Sequence, residues 1–135
     1  DVHLMVDKNP KFVEKVYDNG ADLITVHCES SPIDEFEILS NNYKNIGIGI
    51  LPTTNINSLI PYLEFASAVL LLTVNPGFSN QSKAVDLLQR IEEFNHIQTN
   101  ENILTLVDGG VSNDDLTLLK ENGVDIAVQG GAIFG

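Results

Sequence analysis

The sequence is poor in positive charge, and this shortage excludes several kinds of partner. Lys and Arg together number seven against 19 Asp and Glu, which gives a formal net charge of −12. So few cations cannot form a basic stripe along a nucleic-acid backbone or an anionic membrane surface. We therefore expect no nucleic-acid partner and no membrane partner. Any anionic ligand has to be held by local groups.

Cysteine and long apolar runs are also scarce. The single cysteine, Cys28, excludes an internal disulfide and is compatible with a reducing compartment, and we interpret it as a small buried residue. No apolar run reaches the length of about 18 residues that a membrane span needs, and no basic-then-apolar leader is visible. We expect a cytoplasmic location.

The sequence does contain a regular alternation of strand-like and helix-like segments. With 135 residues and 43% apolar content, it can form one domain, 1–135. Short apolar runs predict six strands, at 1–6, 22–27, 45–51, 68–74, 103–108 and 125–129. Helical patterns lie between them at 8–18, 32–41, 55–64, 83–94 and 114–121, with Ser112 or Asn113 as the N-cap of the last.

This alternation predicts a parallel α/β fold of the TIM-barrel type. The strands are almost continuously apolar, as expected when protein covers both faces of a sheet. Strand starts fall roughly 21 to 23 residues apart, except across an insertion after Val74, and such regularity favours a (β/α)₈ barrel. A closed barrel needs eight strands. We therefore expect a partial TIM-barrel domain of about six βα units, lacking two.

Candidate site residues stand at the strand ends, where barrels of this kind bind their ligands. The first strand places Asp1, His3 and Met5 on one face by its period of two. Asp108 closes the fifth strand, directly before Gly109 and Gly110. A carboxylate at the inner rim of an apolar barrel is costly to desolvate unless a cation or a proton accompanies it.

Taken singly, these residues also have ordinary structural explanations. Asp108 could be a turn residue before a Gly-Gly bend, and His3 and His27 could be hydrogen-bonded core histidines. His96 lies at a polar helix end and is expected at the surface. The functional interpretation rests on several of them standing at matched ends of different strands.

Two glycine-rich turns predict a phosphate site. Gly77 follows the fourth strand through Asn75 and Pro76, and Gly130 and Gly131 follow the last strand. Turns of this kind can direct backbone N–H groups at one anion, as in the usual phosphate grip of a barrel. The alternative is that both are simple turns.

Five segments give the sequence a family resemblance: "DVHLMV", "ADLITVHCES", "LLTVNPGF", "LVDGGVS" and "GGAIFG". In this order and at these intervals they resemble the ribulose-phosphate 3-epimerase family, which includes the similar allulose-6-phosphate epimerases. The resemblance covers essentially all 135 residues. It implies a (β/α)₈ barrel, present here as strands 3 to 8, and a metal-dependent isomerase that inverts C3 of a ketose phosphate. The substrate pair would be ribulose 5-phosphate and xylulose 5-phosphate.

The resemblance also implies roles for individual residues. His3 and Asp108 would be ligands of a divalent metal cation (Zn, Fe, Mn or Co), and Asp108 would be one of two acid/base carboxylates. The other carboxylate and a further His ligand belong to an upstream strand in the family, so the isolated 135-residue chain is expected to be inactive. The substrate-binding residues would be His3, Met5, Gly77, Phe78, Ser79, Asn80, Asp108, Gly109, Gly110, Gly130 and Gly131.

Some positions depart from the family pattern. Ser79 and Asn80 replace a usual Gly-Gly, and Gly131 replaces a usual Ser or Asn. These changes leave two alternatives open, an epimerase for a hexulose 6-phosphate such as allulose 6-phosphate and a non-catalytic phosphosugar-binding relative. The family commonly forms dimers or hexamers, so a homo-oligomer is expected.

Overall fold

The computed structural model describes residues 1–7, 9–74 and 86–134, and these form one parallel sheet with helices between its strands. The sheet contains six strands in the order β1-β2-β3-β4-β5-β6, so each strand lies beside its neighbours in the chain. This open arc of a (β/α)₈ barrel confirms the predicted fold class and the predicted number of strands.

The bounds of the elements follow the predictions closely, with shorter end strands. The strands are β1 (Val2–Leu4), β2 (Ile24–His27), β3 (Ile46–Ile50), β4 (Ala68–Leu72), β5 (Leu104–Asp108) and β6 (Ile126–Val128). The α-helices are α1 (Asn9–Asp18), α2 (Ile33–Asn42), α3 (Leu87–Ile97), α4 (Leu116–Glu121) and α5 (Gly131–Phe134). Two 3₁₀ helices lie at Ile56–Tyr62 and Asn113–Asp115. No helix among these residues is long and apolar enough to cross a membrane.

One predicted helix differs in type from the structure. The segment predicted as a helix over 55–64 is a 3₁₀ helix, and it contains Pro61. Proline has no backbone N–H to donate and clashes with the preceding turn, so a regular α-helix cannot run through it. The helix predicted over 83–94 is present as α3 from Leu87, where the Asp86 side chain accepts a hydrogen bond from the Gln89 N–H as an N-cap. Residues 83–85 of that prediction lie outside the described residues.

Ser112 begins the segment that leads into α4, as predicted. Its N–H and its Oγ both donate to the Asp115 carboxylate at 2.8 Å. The carboxylate therefore satisfies a backbone donor that the first helical turn leaves without a partner.

The two faces of the sheet carry different cores. The face covered by helices packs against the larger cluster, in which Ile48, Phe36 and Phe94 are fully buried. The inner face holds a smaller cluster built on Ala68, Leu70, Leu72, Val74 and Leu106. Because side chains alternate between faces, the strand register places His3, His27 and Asp108 on the inner face, at the end where the strands finish.

Candidate active site

The structure brings together the two residues predicted to share a cation. His3 lies on β1 and Asp108 ends β5, and His3 Nδ1 lies 3.5 Å from Asp108 Oδ2. Three other strands separate β1 from β5 in the sheet, so the two side chains meet only across its inner face. Their side chains are 13% and 29% exposed, which leaves the pair accessible at the strand ends.

The donor chemistry of this pair fits a divalent transition-metal ion. Imidazole nitrogen and carboxylate oxygen bind such ions at about 2.0–2.2 Å, so two ligands at a tetrahedral angle stand about 3.4 Å apart. The observed separation of 3.5 Å agrees with this spacing. The described residues contain no group of three or more His, Cys, Asp or Glu side chains that could hold a metal ion. Among the described residues, His3 and Asp108 would therefore supply two ligands to such a site.

A second histidine, His27, contacts the first. His27 ends β2, and its Nε2 lies 2.5 Å from His3 Nε2, while the two ring planes are inclined by 16° with their centroids 4.7 Å apart. On its other side, His27 Nδ1 lies 3.0 Å from Glu29 Oε1. The sequence analysis treated His27 as a strand-end residue without a role and did not single out Glu29. The signal that could have identified Glu29 is the "VHCE" segment, which places a carboxylate two residues after the His27 imidazole.

Glu29 is held as an ionised hydrogen-bond acceptor. Burial alone would raise the pKa of its carboxyl group, but hydrogen bonds from His27, Cys28, the Leu51 N–H and Thr54 outweigh burial and lower the pKa from 4.5 to about 2. Its Oε2 accepts from the Leu51 N–H and from Cys28 Sγ, each at 3.1 Å.

Cys28 is partly buried rather than fully buried. Burial is the main cause that raises the pKa of its thiol, and the neighbouring Glu29 raises that pKa further. A thiol whose pKa is raised carries little thiolate at neutral pH. Burial and Glu29 therefore favour the neutral thiol form of Cys28.

Gly49 leaves the space in which the His27 ring lies. A Cβ atom at Gly49, which pairs with His27 across β2 and β3, would stand 2.8 Å from His27 Nε2 and 3.0 Å from Cδ2. Because the ring is buried, it cannot swing into solvent to relieve this contact. The absence of a side chain at Gly49 therefore sets the position of the ring that contacts His3.

We expect Gly49→Ala to displace the His27 ring and to lower the free energy of unfolding by about 1–3 kcal/mol through overpacking. The matched control is Gly47→Ala, on the same strand and face, whose Cβ would meet Thr25 Oγ1 and Ala68 instead. Histidine side-chain NMR signals of His3 and His27 should shift in the first variant only. Equal shifts in both variants would show that Gly49 has no specific effect on the ring.

Comparison with known proteins assigns the chain to a family. The model of the ribulose-phosphate 3 epimerase family matches residues 1–134. The chain belongs to the ribulose-phosphate 3-epimerase family. The resemblance inferred from the sequence is therefore confirmed.

Several proteins named ribulose-phosphate 3-epimerase are similar over the whole chain. The one from Buchnera aphidicola subsp. Schizaphis graminum is 36% identical over 141 residues, which cover 100% of this chain and 61% of that protein. The one from Treponema pallidum is 31% identical, covering 99% of this chain and 63% of that protein. The one from Bacillus subtilis is 29% identical, covering 100% and 64%. The chain thus spans less than two thirds of the length of these relatives.

A solved structure supports the fold. The tryptophan synthase α2β2 complex of Pyrococcus furiosus contains a chain that matches with a TM-score of 0.64 and 18% sequence identity. The match covers 97% of this chain and 56% of that chain. At this low identity, the likeness concerns the fold alone.

The other residues that the epimerase family resemblance singles out lie around the strand ends. Met5 follows β1 and is 47% exposed, and Gly109 and Gly110 follow β5 with φ values of 117° and 66°. Gly130 and Gly131 form the turn into α5, where the Gly130 carbonyl oxygen accepts from the N–H groups of Ile133 and Phe134. Four predicted substrate-binding residues lie outside the described residues: Gly77, Phe78, Ser79 and Asn80.

Thr73, directly after β4, holds the end of β5 that carries Asp108. The Thr73 N–H donates to the Asp108 carbonyl oxygen at 2.8 Å, and Thr73 Oγ1 donates to the carbonyl oxygens of Asp108 and Gly109. The backbone of Asp108 is therefore fixed from the neighbouring strand, while its carboxylate stays on the inner face.

Arg90 is a buried residue of α3 that the sequence analysis did not single out. Its guanidinium donates to the carbonyl oxygens of Leu51 at 2.9 Å and Thr54 at 2.7 Å. These bonds fix the loop after β3, whose Leu51 N–H in turn contacts Glu29. His96, on the same helix, is exposed as predicted.

Proposed function

We propose that the full-length protein, meaning the whole polypeptide to which residues 1–135 belong, is a metal-dependent epimerase that inverts C3 of a ketose phosphate. The proposed substrate pair is ribulose 5-phosphate and xylulose 5-phosphate. The observation that carries the proposal is the approach of His3 Nδ1 and Asp108 Oδ2 to 3.5 Å at the strand ends, in a chain of the ribulose-phosphate 3-epimerase family.

Asp108 would act as an acid/base group on one face of the substrate. C3 lies next to the C2 ketone, so removing its proton places negative charge on the two neighbouring oxygens. A positioned carboxylate can accept that proton and return one. Inversion also requires a second group on the opposite face, and the family resemblance assigns that group to an upstream strand.

His3 and Asp108 would hold a divalent cation, with Zn, Fe, Mn and Co as the candidates that suit a mixed nitrogen and oxygen donor set. When bound, such a cation supplies Lewis-acid stabilisation of the negative charge that develops on the substrate oxygens. His3 serves this role only with an imidazole nitrogen that carries a free lone pair.

The phosphate group would be held by backbone N–H groups at the Gly130 and Gly131 turn. Peptide N–H groups bind a phosphate without side-chain cations, which suits a chain with a net charge of −12. The turn leads into α5 directly after β6, the last strand of the arc. This position matches the phosphate site common to barrels of this type.

Turnover in heavy water tests the proposal. The full-length protein should convert ribulose 5-phosphate to xylulose 5-phosphate and introduce deuterium at C3, which NMR of the product detects. A chelator should abolish both signals, and readdition of Zn²⁺, Mn²⁺, Fe²⁺ or Co²⁺ should restore them. Turnover that withstands exhaustive chelation would contradict metal dependence.

The same assay separates the remaining candidates. A non-catalytic phosphosugar-binding relative would bind ribulose 5-phosphate without introducing deuterium. An epimerase for a hexulose 6-phosphate would introduce deuterium at C3 of allulose 6-phosphate faster than at C3 of ribulose 5-phosphate.

A further inference from the structure

Four side chains form a continuous line of polar contacts across the inner face. Glu29 Oε1 contacts His27 Nδ1 at 3.0 Å, the two Nε2 atoms meet at 2.5 Å, and His3 Nδ1 faces Asp108 Oδ2 at 3.5 Å. A carboxylate therefore stands at each end of a pair of imidazole rings. The proposed function uses only His3 and Asp108, at one end of this line, and gives no role to His27 and Glu29.

The two carboxylates compete for a single imidazole N–H group. Two neutral imidazoles carry two N–H groups in total. The contact between the Nε2 atoms needs one of them, so a single N–H remains for either Glu29 or Asp108. If Glu29 receives it, His27 is protonated on Nδ1 and His3 on Nε2, and the Nδ1 lone pair of His3 then faces Asp108.

The geometry favours Glu29 as the acceptor. The Glu29 contact is 0.5 Å shorter than the Asp108 contact, from 3.0 Å against 3.5 Å. The Glu29 carboxylate also accepts from two other donors, the Leu51 N–H and Cys28 Sγ, each at 3.1 Å from Oε2. A carboxylate that is ionised can only accept. This geometry favours a proton on His27 Nδ1, shared with Glu29, which would leave Asp108 without an N–H partner.

We propose that Glu29, acting through His27, is a positioning residue that holds His3 in the tautomer whose Nδ1 lone pair faces Asp108. This tautomer presents a lone pair and a carboxylate to the same space, an arrangement that repels unless a cation lies between them. The opposite tautomer would place an N–H there and close the site. The function of this Glu29–His27–His3 relay rests on the proposed metal site, but the tautomer itself does not.

Glu29→Gln is a sharp test because the structure fixes how the new side chain is oriented. The Leu51 N–H requires an acceptor at the position of Glu29 Oε2. The Gln oxygen must stay there, so its NH₂ group replaces Oε1 and donates to His27 Nδ1. The N–H of His27 then moves to Nε2, and His3 is left protonated on Nδ1, facing Asp108.

The experiment uses the full-length protein without metal, at a pH of about 8.5 to keep the imidazoles neutral. Long-range ¹H–¹⁵N NMR spectra of the histidine side chains report which nitrogen carries the proton. Titration with Co²⁺, followed by its visible absorption, measures metal affinity. Glu14→Gln, an exposed position on α1, is the matched control. His27→Phe, which removes the relay at its middle, covers the case in which Glu29→Gln fails to fold.

We expect the wild type and Glu14→Gln to carry the His3 proton on Nε2. Glu29→Gln and His27→Phe should carry it on Nδ1 and bind Co²⁺ about 10- to 100-fold more weakly, the usual effect of losing a group that orients a metal ligand. The relay is overturned if wild-type His3 is protonated on Nδ1. It is also overturned if both relay variants keep the wild-type tautomer, or if the wild type binds Co²⁺ and both variants bind it with an affinity within threefold of the wild type.

The result distinguishes this inference from the proposed function. If the wild type shows the expected tautomers and Glu29→Gln reverses them, but no variant binds Co²⁺, then the relay stands and metal dependence falls. If the wild type binds Co²⁺ and the tautomers do not depend on Glu29, then the relay falls and the metal site stands.

Discussion

Replacing Asp108 with Asn in the full-length protein should lower kcat for epimerisation of ribulose 5-phosphate by about 10³-fold or more. The substitution keeps the size of the side chain but removes a group that can accept a proton, and acid/base groups of this kind contribute about 10²- to 10⁴-fold. It also exchanges a charged ligand for a neutral one beside His3 Nδ1. Both losses weaken the same step, the removal of the C3 proton, in which negative charge develops on the substrate oxygens. The combined effect on kcat is therefore expected in the upper part of the range of about 10²- to 10⁴-fold.

The control for Asp108→Asn is Asp114→Asn, at an exposed position before α4. It removes the same charge from the chain and should leave kcat within about twofold. Steady-state turnover and the melting temperature of each variant should be measured together, so that unfolding is not mistaken for loss of catalysis. An Asp108→Asn protein that is folded and retains more than a tenth of wild-type kcat would remove Asp108 from the chemistry.

Gly109→Ala should lower the free energy of unfolding by about 2 to 6 kcal/mol. The backbone of Gly109 has φ of 117°, which costs about 1–3 kcal/mol for a residue with a Cβ. The new Cβ would also lie 2.7 Å from Val74 Cγ2 and 2.9 Å from both Thr73 Oγ1 and the Val74 N atom. Overpacking of this kind adds about 1–3 kcal/mol, and a backbone atom cannot move aside as a side chain can.

The matched control for this prediction is Gly123→Ala. Gly123 also has a positive φ, of 84°, but no atom lies within 4 Å of its added Cβ. It should therefore cost only about 1–2 kcal/mol for the backbone conformation. Urea unfolding of both variants measures the difference. Equal destabilisation would show that the contact with Thr73 and Val74 is relieved without cost and that only the backbone angle matters.

Gly109→Ala should also disturb the site itself. Gly109 follows Asp108 directly, and Thr73 Oγ1 donates to the carbonyl oxygens of both residues. A displacement of this loop away from Thr73 would move the Asp108 carboxylate relative to His3. We therefore expect weaker Co²⁺ binding by Gly109→Ala than by Gly123→Ala in the folded proteins.

The site was only partly predictable from the sequence. His3 and Asp108 could be found because each stands at a strand end on a face that the period of two defines. Glu29 lies beyond the end of β2, where strand periodicity no longer fixes direction, and its role depends on an acceptor contact with the Leu51 N–H of another loop. Arg90 looks like an ordinary charged residue of an amphipathic helix until the carbonyl oxygens of Leu51 and Thr54 are seen beside its guanidinium.

One error in the helix predictions had its signal in the sequence. Pro61 lies inside the segment predicted as an α-helix, and its missing N–H explains the 3₁₀ helix found there. The start of α3 at Leu87 depended on a different signal, the N-cap preference of Asp86, which the apolar periodicity of 83–94 did not reveal.

The sequence by itself determined the alternation of strands and helices, the TIM-barrel class and the family, because these follow from local periodicity and from the order of short motifs. Only the tertiary structure decided which side chains meet on the inner face. β1 and β5 are separated by three strands, and their ends approach because the whole sheet curves, which is a property of the complete arc and of no single segment. The line of contacts from Glu29 through His27 and His3 to Asp108 exists for that reason.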